Sequence, residues 1–384
     1  MIADQRPLLL VTNDLGPHLG GIESFILGLI NELDGSKLVI YTSSQSGSAD
    51  FDAKLKAEHG VIVIRDKSKI LLPTPRVTSA VVKVMQQFGA TTIWYGATAP
   101  LAWMAPTLKR HGAIRQIGMT HGHEVWWAKL PPFSWALRRM GGALDVLTYL
   151  GEFTRDAMRP AFGNSPEYVR IAPGIAVDHF LPALTSTKPV ELLSRYGLRD
   201  LPTILCVGRL VHRKGQDRLI QAMPQVLAAI PDAQLILIGI GPYEKKLRSL
   251  VKKLHVEDKV HFLGRMKYDE LPKHFHLGDV FAMPSRSRFF GLEVEGLGIV
   301  YLEASASGLP VIAGASGGAP DAVREGITGV TVDGNNLDQI ASALISILSN
   351  KESSKAMGVA GRNWAEEAWS WKLWGAKFAD LLRL

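Results

Sequence analysis

The chain has 384 residues, of which 47% are hydrophobic and 21% charged, and its formal net charge is +7. This length suits two domains better than one, and the composition is typical of a globular α/β protein. The single cysteine excludes a disulfide within the chain, and the modest charge without a basic run argues against a nucleic-acid-binding arm. With no signal-peptide pattern and no apolar run near the ~18–20 residues of a spanning helix, we expect a cytoplasmic protein with at most peripheral membrane contact.

The first half of the chain alternates short apolar runs with helical patterns, which predicts a parallel sheet. Strands are predicted at 8–12, 38–41, 61–64, 92–94, 114–118 and 146–149. The first strand runs into NDLGPHLGG, and a helix follows from about Ile22. This strand, glycine loop and helix are typical of a nucleotide or phosphate site. Gly20 and Gly21 would let a ligand approach the backbone, or they form an ordinary tight turn.

Two groups of residues raise the question of a metal. Asp50 and Asp52 form an Asp-x-Asp pattern, but they precede a helical pattern, so we expect them to cap that helix. His121, His123 and Glu124 follow the fifth predicted strand, but the two histidines lack the i, i+4 spacing of a helical zinc site. We therefore expect no metal.

An aromatic and basic stretch, VWWAKLPPFSWALRRM, covers residues 125–140. Its cations are Lys129, Arg138 and Arg139. Aromatic rings beside cations are typical of a surface that meets anionic lipid, whereas the same rings also suit a packed core with exposed arginines. Both interpretations stay open at this point.

The second half repeats the alternation after a polar, proline-containing stretch at 181–189, so we place a domain boundary near residue 180. Strand 203–207, which contains Cys206, leads into GRLVHRKG. Arg209 and Lys214 bracket the tip of this loop and are placed to hold a diphosphate from two sides, unless both are solvated cations. Asp217 is expected to cap the next helix.

The most informative stretch is residues 284–321. A strand at 279–282 precedes it, a helix is predicted from Gly298 to Ser307, and a strand at 309–313 leads into a glycine turn. Glu295 and Glu303 have the spacing E-x7-E, and two carboxylates at two heights can accept hydrogen bonds from a sugar and from a ribose. The helix start suits an anion. The pattern predicts a site for a phosphorylated sugar, the alternative being two solvated glutamates.

Several of these segments resemble one known family. They are VTNDLGPHLGGIESF, MTHGHEVWWAKLP, GRLVHRKGQD, FAMPSRSR, VEGLGIVYLEA and SGGAPD. They are similar to the retaining GT-B glycosyltransferases of family 4, and among these to the actinobacterial GDP-mannose-dependent phosphatidylinositol monomannoside mannosyltransferases. The likeness runs from Leu8 to the C-terminus.

The resemblance implies an α/β GT-B architecture, with two doubly wound Rossmann-like domains facing each other across a cleft. Residues 1–180 would form the acceptor-binding domain and residues 181–365 the nucleotide-sugar-binding domain. Residues 366–384 would form a C-terminal helix that packs back on the N-terminal domain.

The resemblance also implies roles for single residues. His121 and Glu295 would be catalytic. The donor would be bound by Gly20, Gly21, Arg209, Lys214, Arg265, Met266, Gly298, Ile299 and Glu303. The acceptor would be bound by Asp14, His18 and His121.

The implied reaction moves mannose from GDP-mannose to phosphatidylinositol monomannoside with retention and an expected α-1,6 linkage. It would need no metal or other cofactor and would take place on the inner face of the plasma membrane. Alternatives are another nucleotide sugar, another lipid or soluble acceptor, a sugar-nucleotide epimerase, or an inactive nucleotide-sugar-binding protein. Phe289 and Phe290 stand where the family has a glycine-rich stretch, and the doublet Trp126-Trp127 puts a bulky residue where the family has a small one, so the acceptor is less defined than the donor.

Overall fold

A computed structural model describes residues 7–17, 20–183 and 187–382 of the chain. Contacts between residues divide it into an N-terminal unit, Met1–Gly174 with Trp371–Leu384, and a C-terminal unit, Ile175–Ser370. The predicted acceptor and donor roles of the ranges 1–180 and 181–365 stay predictions.

Each unit is built on a parallel β-sheet. The strands are β1 Leu8–Thr12, β2 Leu38–Thr42, β3 Ile62–Arg65, β4 Thr92–Tyr95, β5 Arg115–Met119, β6 Val146–Tyr149, β7 Glu167–Arg170, β8 Thr203–Val207, β9 Gln234–Ile238, β10 Val260–Gly264, β11 Val280–Met283, β12 Val311–Gly314 and β13 Gly329–Val332. Within the described residues the N-terminal sheet has the order β3-β2-β1-β4-β5-β6-β7, and the C-terminal sheet has the order β10-β9-β8-β11-β12-β13. Both orders reverse direction at the first strand of the sheet, which is the doubly wound pattern.

Helices connect the strands and cover both sheets. They are α1 Gly21–Asn31, α2 Ser48–His59, α3 Pro75–Phe88, α4 Thr98–Leu101, α5 Ala105–Arg110, α6 Glu124–Lys129, α7 Phe133–Gly141, α8 Glu152–Phe162, α9 Val190–Tyr196, α10 Gln216–Ala229, α11 Glu244–Lys253, α12 Leu271–Phe275, α13 Ile299–Ala306, α14 Leu337–Ser349, α15 Lys351–Ala368 and α16 Trp371–Leu382. Short 3₁₀ turns at His212–Lys214 and Phe289–Gly291 lie in loops of the candidate site.

The central strands are buried along their whole length, because parallel sheets have both faces covered. In β8 every residue is buried, including Cys206, and burial raises the pKa of its thiol to about 12. The predicted bounds of β1, β6 and β8 agree with the structure, and most others differ by one or two residues. Strand β7 was not predicted, because Glu167–Arg170 is a partly exposed polar edge strand without a clear apolar run.

The last helix, α16, packs within the N-terminal unit. The Phe378 ring is fully buried and meets Trp94 edge-on, with the ring centroids 4.8 Å apart. A Cβ atom at Gly28 would lie 2.2 Å from the Trp371 ring, so α1 and α16 approach closely only because Gly28 has no side chain.

Two predictions of helix caps are wrong. Gly47 is the N-cap of α2, Asp50 lies in its first turn, and Asp52 instead pairs with Arg65 at 2.7 Å. Asp217 is the second residue of α10, whose N-cap is Gly215. The capping rule assigned both aspartates to helix starts, but the Asp52 carboxylate pairs with Arg65 and the Asp217 carboxylate pairs with Arg286.

None of the helices in the described part of the chain is long and apolar enough to cross a membrane.

Candidate active site

The candidate residues of the C-terminal unit lie in loops at the carboxyl ends of neighbouring parallel strands, where α/β folds bind ligands. Arg209 and Lys214 follow β8, Met266 follows β10, and Glu295 lies between β11 and α13. The structure thus gathers these segments at one edge of one sheet.

Glu295 is a buried carboxylate, 6% exposed, that meets two cations. Its Oε2 accepts a hydrogen bond from Nη1 of Arg213 and lies 3.5 Å from Nζ of Lys214. Arg213 also lies 3.7 Å from Glu293. Sequence reasoning selected Glu295 and Lys214 and missed Arg213, although Arg213 stands beside Lys214 in the chain.

The backbone around Glu295 is held by the glycine turn after β12. Gly318 N–H donates to the Glu295 carbonyl at 2.9 Å, and the Glu295 N–H donates to Ser316 Oγ at 3.3 Å. Gly317 has φ +57, and a Cβ atom there would lie 2.1 Å from the Glu295 carbonyl. Only glycine fits this turn, which therefore fixes the height of the Glu295 side chain.

Glu303 lies in α13 and is 7% exposed. Burial raises the pKa of its carboxyl to about 7, and the positive charge of Lys214 opposes the shift. Helix α13 begins after Gly298, which has φ +75 and would bring a Cβ within 2.5 Å of the Tyr301 ring. Lys214 thus lies near both carboxylates of the E-x7-E pattern. The predicted helix over 298–307 is confirmed to within one residue at each end.

Arg209 is exposed, and its carbonyl accepts a hydrogen bond from Gln216 Nε2 at 3.2 Å. Among the described contacts none joins Arg209 to Lys214, so the structure leaves one cation facing solvent and turns the other toward Glu295. Arg265 is exposed and Met266 is half-buried, with Sδ 3.6 Å from the hydroxyl of Tyr196.

In the N-terminal unit His121 follows β5, and its Nε2 lies 2.5 Å from the Gly96 carbonyl. Because a carbonyl only accepts, Nε2 carries the hydrogen. Burial lowers the pKa of His121, so near neutral pH the ring is uncharged and Nδ1 is a hydrogen-bond acceptor. Glu124 fixes the backbone, because its Oε2 accepts from the His121 N–H at 3.1 Å.

Asp14 follows β1, and burial together with the charge of Glu23 raises the pKa of its carboxyl to about 6. Gly20 is the N-cap of α1, and a Cβ at Gly21 would meet open space. Among the described residues nothing therefore requires glycine at position 21, and the predicted role of Gly20 and Gly21 in donor binding stays a prediction. His18, the other predicted acceptor residue, lies outside the described residues.

His123 and Glu124 lie beside His121, with His123 Nε2 and Glu124 Oε1 3.5 Å apart. Across residues 7–17, 20–183 and 187–382 no three His, Cys, Asp or Glu side chains come together as metal ligands. The expectation that catalysis needs no metal stays a prediction.

Comparison with known proteins places the chain in a family. A profile for "Glycosyltransferase Family 4" matches residues 19–179, and one for "Glycosyl transferases group 1" matches residues 195–364. The chain is 43% identical to the GDP-mannose-dependent alpha-(1-6)-phosphatidylinositol monomannoside mannosyltransferase of Mycolicibacterium smegmatis over 98% of both chains. This chain belongs to glycosyltransferase family 4. The same identity and coverage link this glycosyltransferase to the Corynebacterium glutamicum enzyme, whose name specifies a monoacylated acceptor.

Solved structures of other proteins show the same fold. An Anabaena protein in complex with UDP has a TM-score of 0.80 at 18% identity, covering 98% of this chain and 99% of that one. Sucrose-phosphate synthase from Thermosynechococcus elongatus has a TM-score of 0.78 at 20% identity, covering 98% of both chains. The predicted GT-B class, with two Rossmann-like domains, is confirmed.

The raised pKa of Glu303 gives the free energy of unfolding a defined pH dependence. Below pH 4.5 the carboxyl is protonated in both states, whereas between pH 4.5 and about 7 the folded protein keeps a proton that the unfolded chain has lost. The contribution of Glu303 to stability therefore falls as pH rises through this window. We expect Glu303→Gln to raise the free energy of unfolding at pH 8 by at most about 3 kcal/mol, and much less at pH 4.5. Urea titrations at both pH values measure this difference.

Glu352, exposed on α15, supplies the control substitution Glu352→Gln, which should change stability little at either pH. Equal stability of Glu303→Gln and the unsubstituted protein at pH 8 would contradict the raised pKa.

Proposed function

We propose that this glycosyltransferase moves mannose from GDP-mannose to a phosphatidylinositol monomannoside, forming an α-1,6 linkage with retention of configuration. The observation that carries the proposal is the 43% identity over 98% of both chains to relatives whose names state this donor and acceptor. The burial of Glu295 and Glu303 near the half-buried Lys214 in one site of the C-terminal unit supports it.

The donor site is proposed for the C-terminal unit. Glu295 would accept hydrogen bonds from mannose hydroxyls, and Glu303 would accept from the ribose. Arg213 holds the Glu295 carboxylate in place. A carboxylate that is already desolvated and oriented loses little freedom when hydroxyls replace or join that contact.

The leaving diphosphate would be stabilised by Arg209, Lys214 and the N–H groups that follow Gly298. Lys214 supplies a charge inside the site, whereas the exposed side chain of Arg209 is free of buried contacts and can reach a ligand. Ile299 begins α13, where free N–H groups favour an anion. These groups meet the developing negative charge without a metal, so we propose a transfer on one face of the sugar, assisted by the leaving phosphate.

The acceptor site is proposed for the N-terminal unit. Asp14 would accept a hydrogen bond from an acceptor hydroxyl, and the fixed Nδ1 of His121 would accept one from a sugar. Gly20 and Gly21 would let the acceptor approach the backbone at the start of α1, where the Gly20 N–H donates to Glu23 Oε2 at 3.1 Å.

Contact with an anionic membrane is proposed for the surface around Trp135. Trp135 is 63% exposed and Leu130 is 38% exposed, whereas Trp126, Trp127 and Phe133 are half-buried and pack against one another with tilted or edge-on rings. Both interpretations of the stretch 125–140 therefore hold in part: Trp126, Trp127 and Phe133 pack against each other, and Trp135 faces solvent. Arg139 lies over the Trp103 ring at 4.6 Å, next to Trp135.

The function is tested by incubating the protein with GDP-mannose, UDP-glucose and UDP-GlcNAc, each with phosphatidylinositol monomannoside in acylated and unacylated form. We expect mannose transfer from GDP-mannose alone, with an α-anomeric product seen by mass spectrometry and NMR. Activity should survive EDTA. Transfer from a UDP-sugar only, or a loss with EDTA that magnesium or manganese restores, would overturn the donor or the metal-free mechanism respectively.

The diphosphate contacts predict different results for the two cations. Arg209→Met should lower kcat about 10²-fold without changing thermal stability, because the side chain is exposed and acts only on the developing charge. Lys214→Met should lower both kcat and thermal stability, because it leaves Glu295 and Glu303 buried with less positive charge around them. Steady-state kinetics and thermal unfolding measure both effects. Lys252→Met on the exposed face of α11 is the control, and a near-normal kcat of Arg209→Met would contradict the assignment.

The membrane surface is tested by sedimentation with phosphatidylinositol-containing vesicles. Trp135→Ser with Arg139→Glu should weaken binding on the order of 10-fold, because a ring and a cation leave the surface and a negative charge replaces the cation. Arg138 is unsuitable for this test, since it donates to the Pro160 and Ala161 carbonyls and so closes the end of α8. Ile114→Ser with Arg110→Glu, also exposed, is the control. Unchanged binding of the first variant would place the membrane contact elsewhere.

A further inference from the structure

A buried arginine of the C-terminal unit has no role in the mechanism described so far. Arg286 lies in the loop after β11 and is 3% exposed. A buried guanidinium is costly unless it is paired, so its partners show what it stabilises. Within the described residues its Nη1 has no hydrogen-bond partner, and its contacts are made by Nη2 and the backbone N–H.

All of these contacts reach the segment that follows β8. Nη2 donates to Asp217 Oδ2 at 2.7 Å and lies 2.8 Å from Nε2 of His212. The Arg286 N–H donates to the Arg213 carbonyl at 2.8 Å. One residue thus holds His212, Arg213 and Asp217, which lie on both sides of Lys214.

Two further contacts fix the same segment. Gly215 has φ +75, and a Cβ atom there would lie 2.1 Å from the Pro284 carbonyl, so the two loops touch backbone to backbone. The hydroxyl of Tyr243, in the loop after β9, donates to Asp217 Oδ2 at 3.3 Å. The Asp217 carboxylate therefore joins the loops that follow three neighbouring strands, β9, β8 and β11.

We propose that Arg286 is a positioning residue of the donor site, which fixes the Arg209–Lys214 loop through Asp217 and His212. The proposal rests on the proposed function, since it assigns a purpose to the loop that would hold the diphosphate. Arg286 touches no reacting group. Its effect is to keep Lys214 beside Glu295, so that the cation is already in place for a nucleoside diphosphate.

A simpler role would be that Arg286 only balances the charge of the buried Asp217. The two roles separate in a cycle of Arg286→Met, Asp217→Asn and the double variant. Each single variant leaves a buried group without its partner and should lower stability, whereas the double variant removes both charges and should recover much of that loss. If Arg286 positions the loop, nucleotide affinity does not recover with stability.

The other end of the same two strands offers a matched control. Lys188 is 8% exposed, and its Nζ donates to Asp279 at 2.7 Å and to Thr203 at 2.8 Å. Asp279 precedes β11 and Thr203 begins β8, so this pair joins the amino ends of the strands whose carboxyl-end loops Arg286 joins. Lys188→Met should lower stability and leave nucleotide affinity unchanged.

The experiment titrates GDP and UDP calorimetrically into the full chain and all five variants, with Arg286→Lys as the fifth, and measures stability by urea unfolding. We expect Arg286→Met and the double variant to bind GDP roughly 10-fold or more weakly, with a raised KM for the donor, and Arg286→Lys to recover part of the loss. Recovery of GDP affinity in the double variant, or an unchanged affinity in Arg286→Met, would overturn the positioning role. The affinities of the unsubstituted protein for GDP and UDP test the proposed function separately, because a preference for UDP would overturn the GDP-mannose donor. The ratio of variant affinity to unsubstituted affinity would still decide the role of Arg286.

Discussion

The donor site depends on two carboxylates that are buried beside a few cations. Glu295 and Glu303 are both less than a tenth exposed, and Lys214 lies near each of them. Removing a carboxylate from water is costly. Glu295 is paired with Arg213 and Lys214, whereas the charge of Lys214 does not offset the burial of Glu303, which raises the pKa of that carboxyl. Such a site lowers the stability of the protein and gains strong hydrogen-bond acceptors for hydroxyl groups, a trade that is common where function and stability compete.

The fold makes this burial possible by delivering each group on a short loop at the carboxyl edge of one sheet. The loops hold each other in place. Gly215 and Gly317 permit backbone contacts that any side chain would prevent, and Arg286 connects three loops through one carboxylate. The rigid part of the site is therefore the network behind the ligand groups, whereas Arg209 remains exposed at its edge.

The sequence predicted the parts of this arrangement that follow from local pattern. Alternating apolar runs predicted the strands, glycine and proline marked the ends of α13, and the E-x7-E spacing placed both carboxylates in one unit. The wrong predictions share a cause. Asp217 pairs with an arginine 69 residues away, and no local pattern announces such a pair, so the capping rule assigned it to the helix start.

The same cause explains the residues that were missed. Arg213 and Arg286 lie in loops, and only the fold brings one onto Glu295 and the other onto Asp217. In the N-terminal unit the loop position of His121 was predictable, whereas its ring orientation depends on the Gly96 carbonyl at the end of a neighbouring strand.

A crystal structure of the protein with GDP is the most direct test that the C-terminal unit holds the donor. We expect the diphosphate oxygens within hydrogen-bond distance of Arg209 and Lys214, and the ribose hydroxyls on the Glu303 carboxylate. A nucleotide bound away from the carboxyl edge of β8 and β11, or a ribose without contact to Glu303, would contradict this assignment.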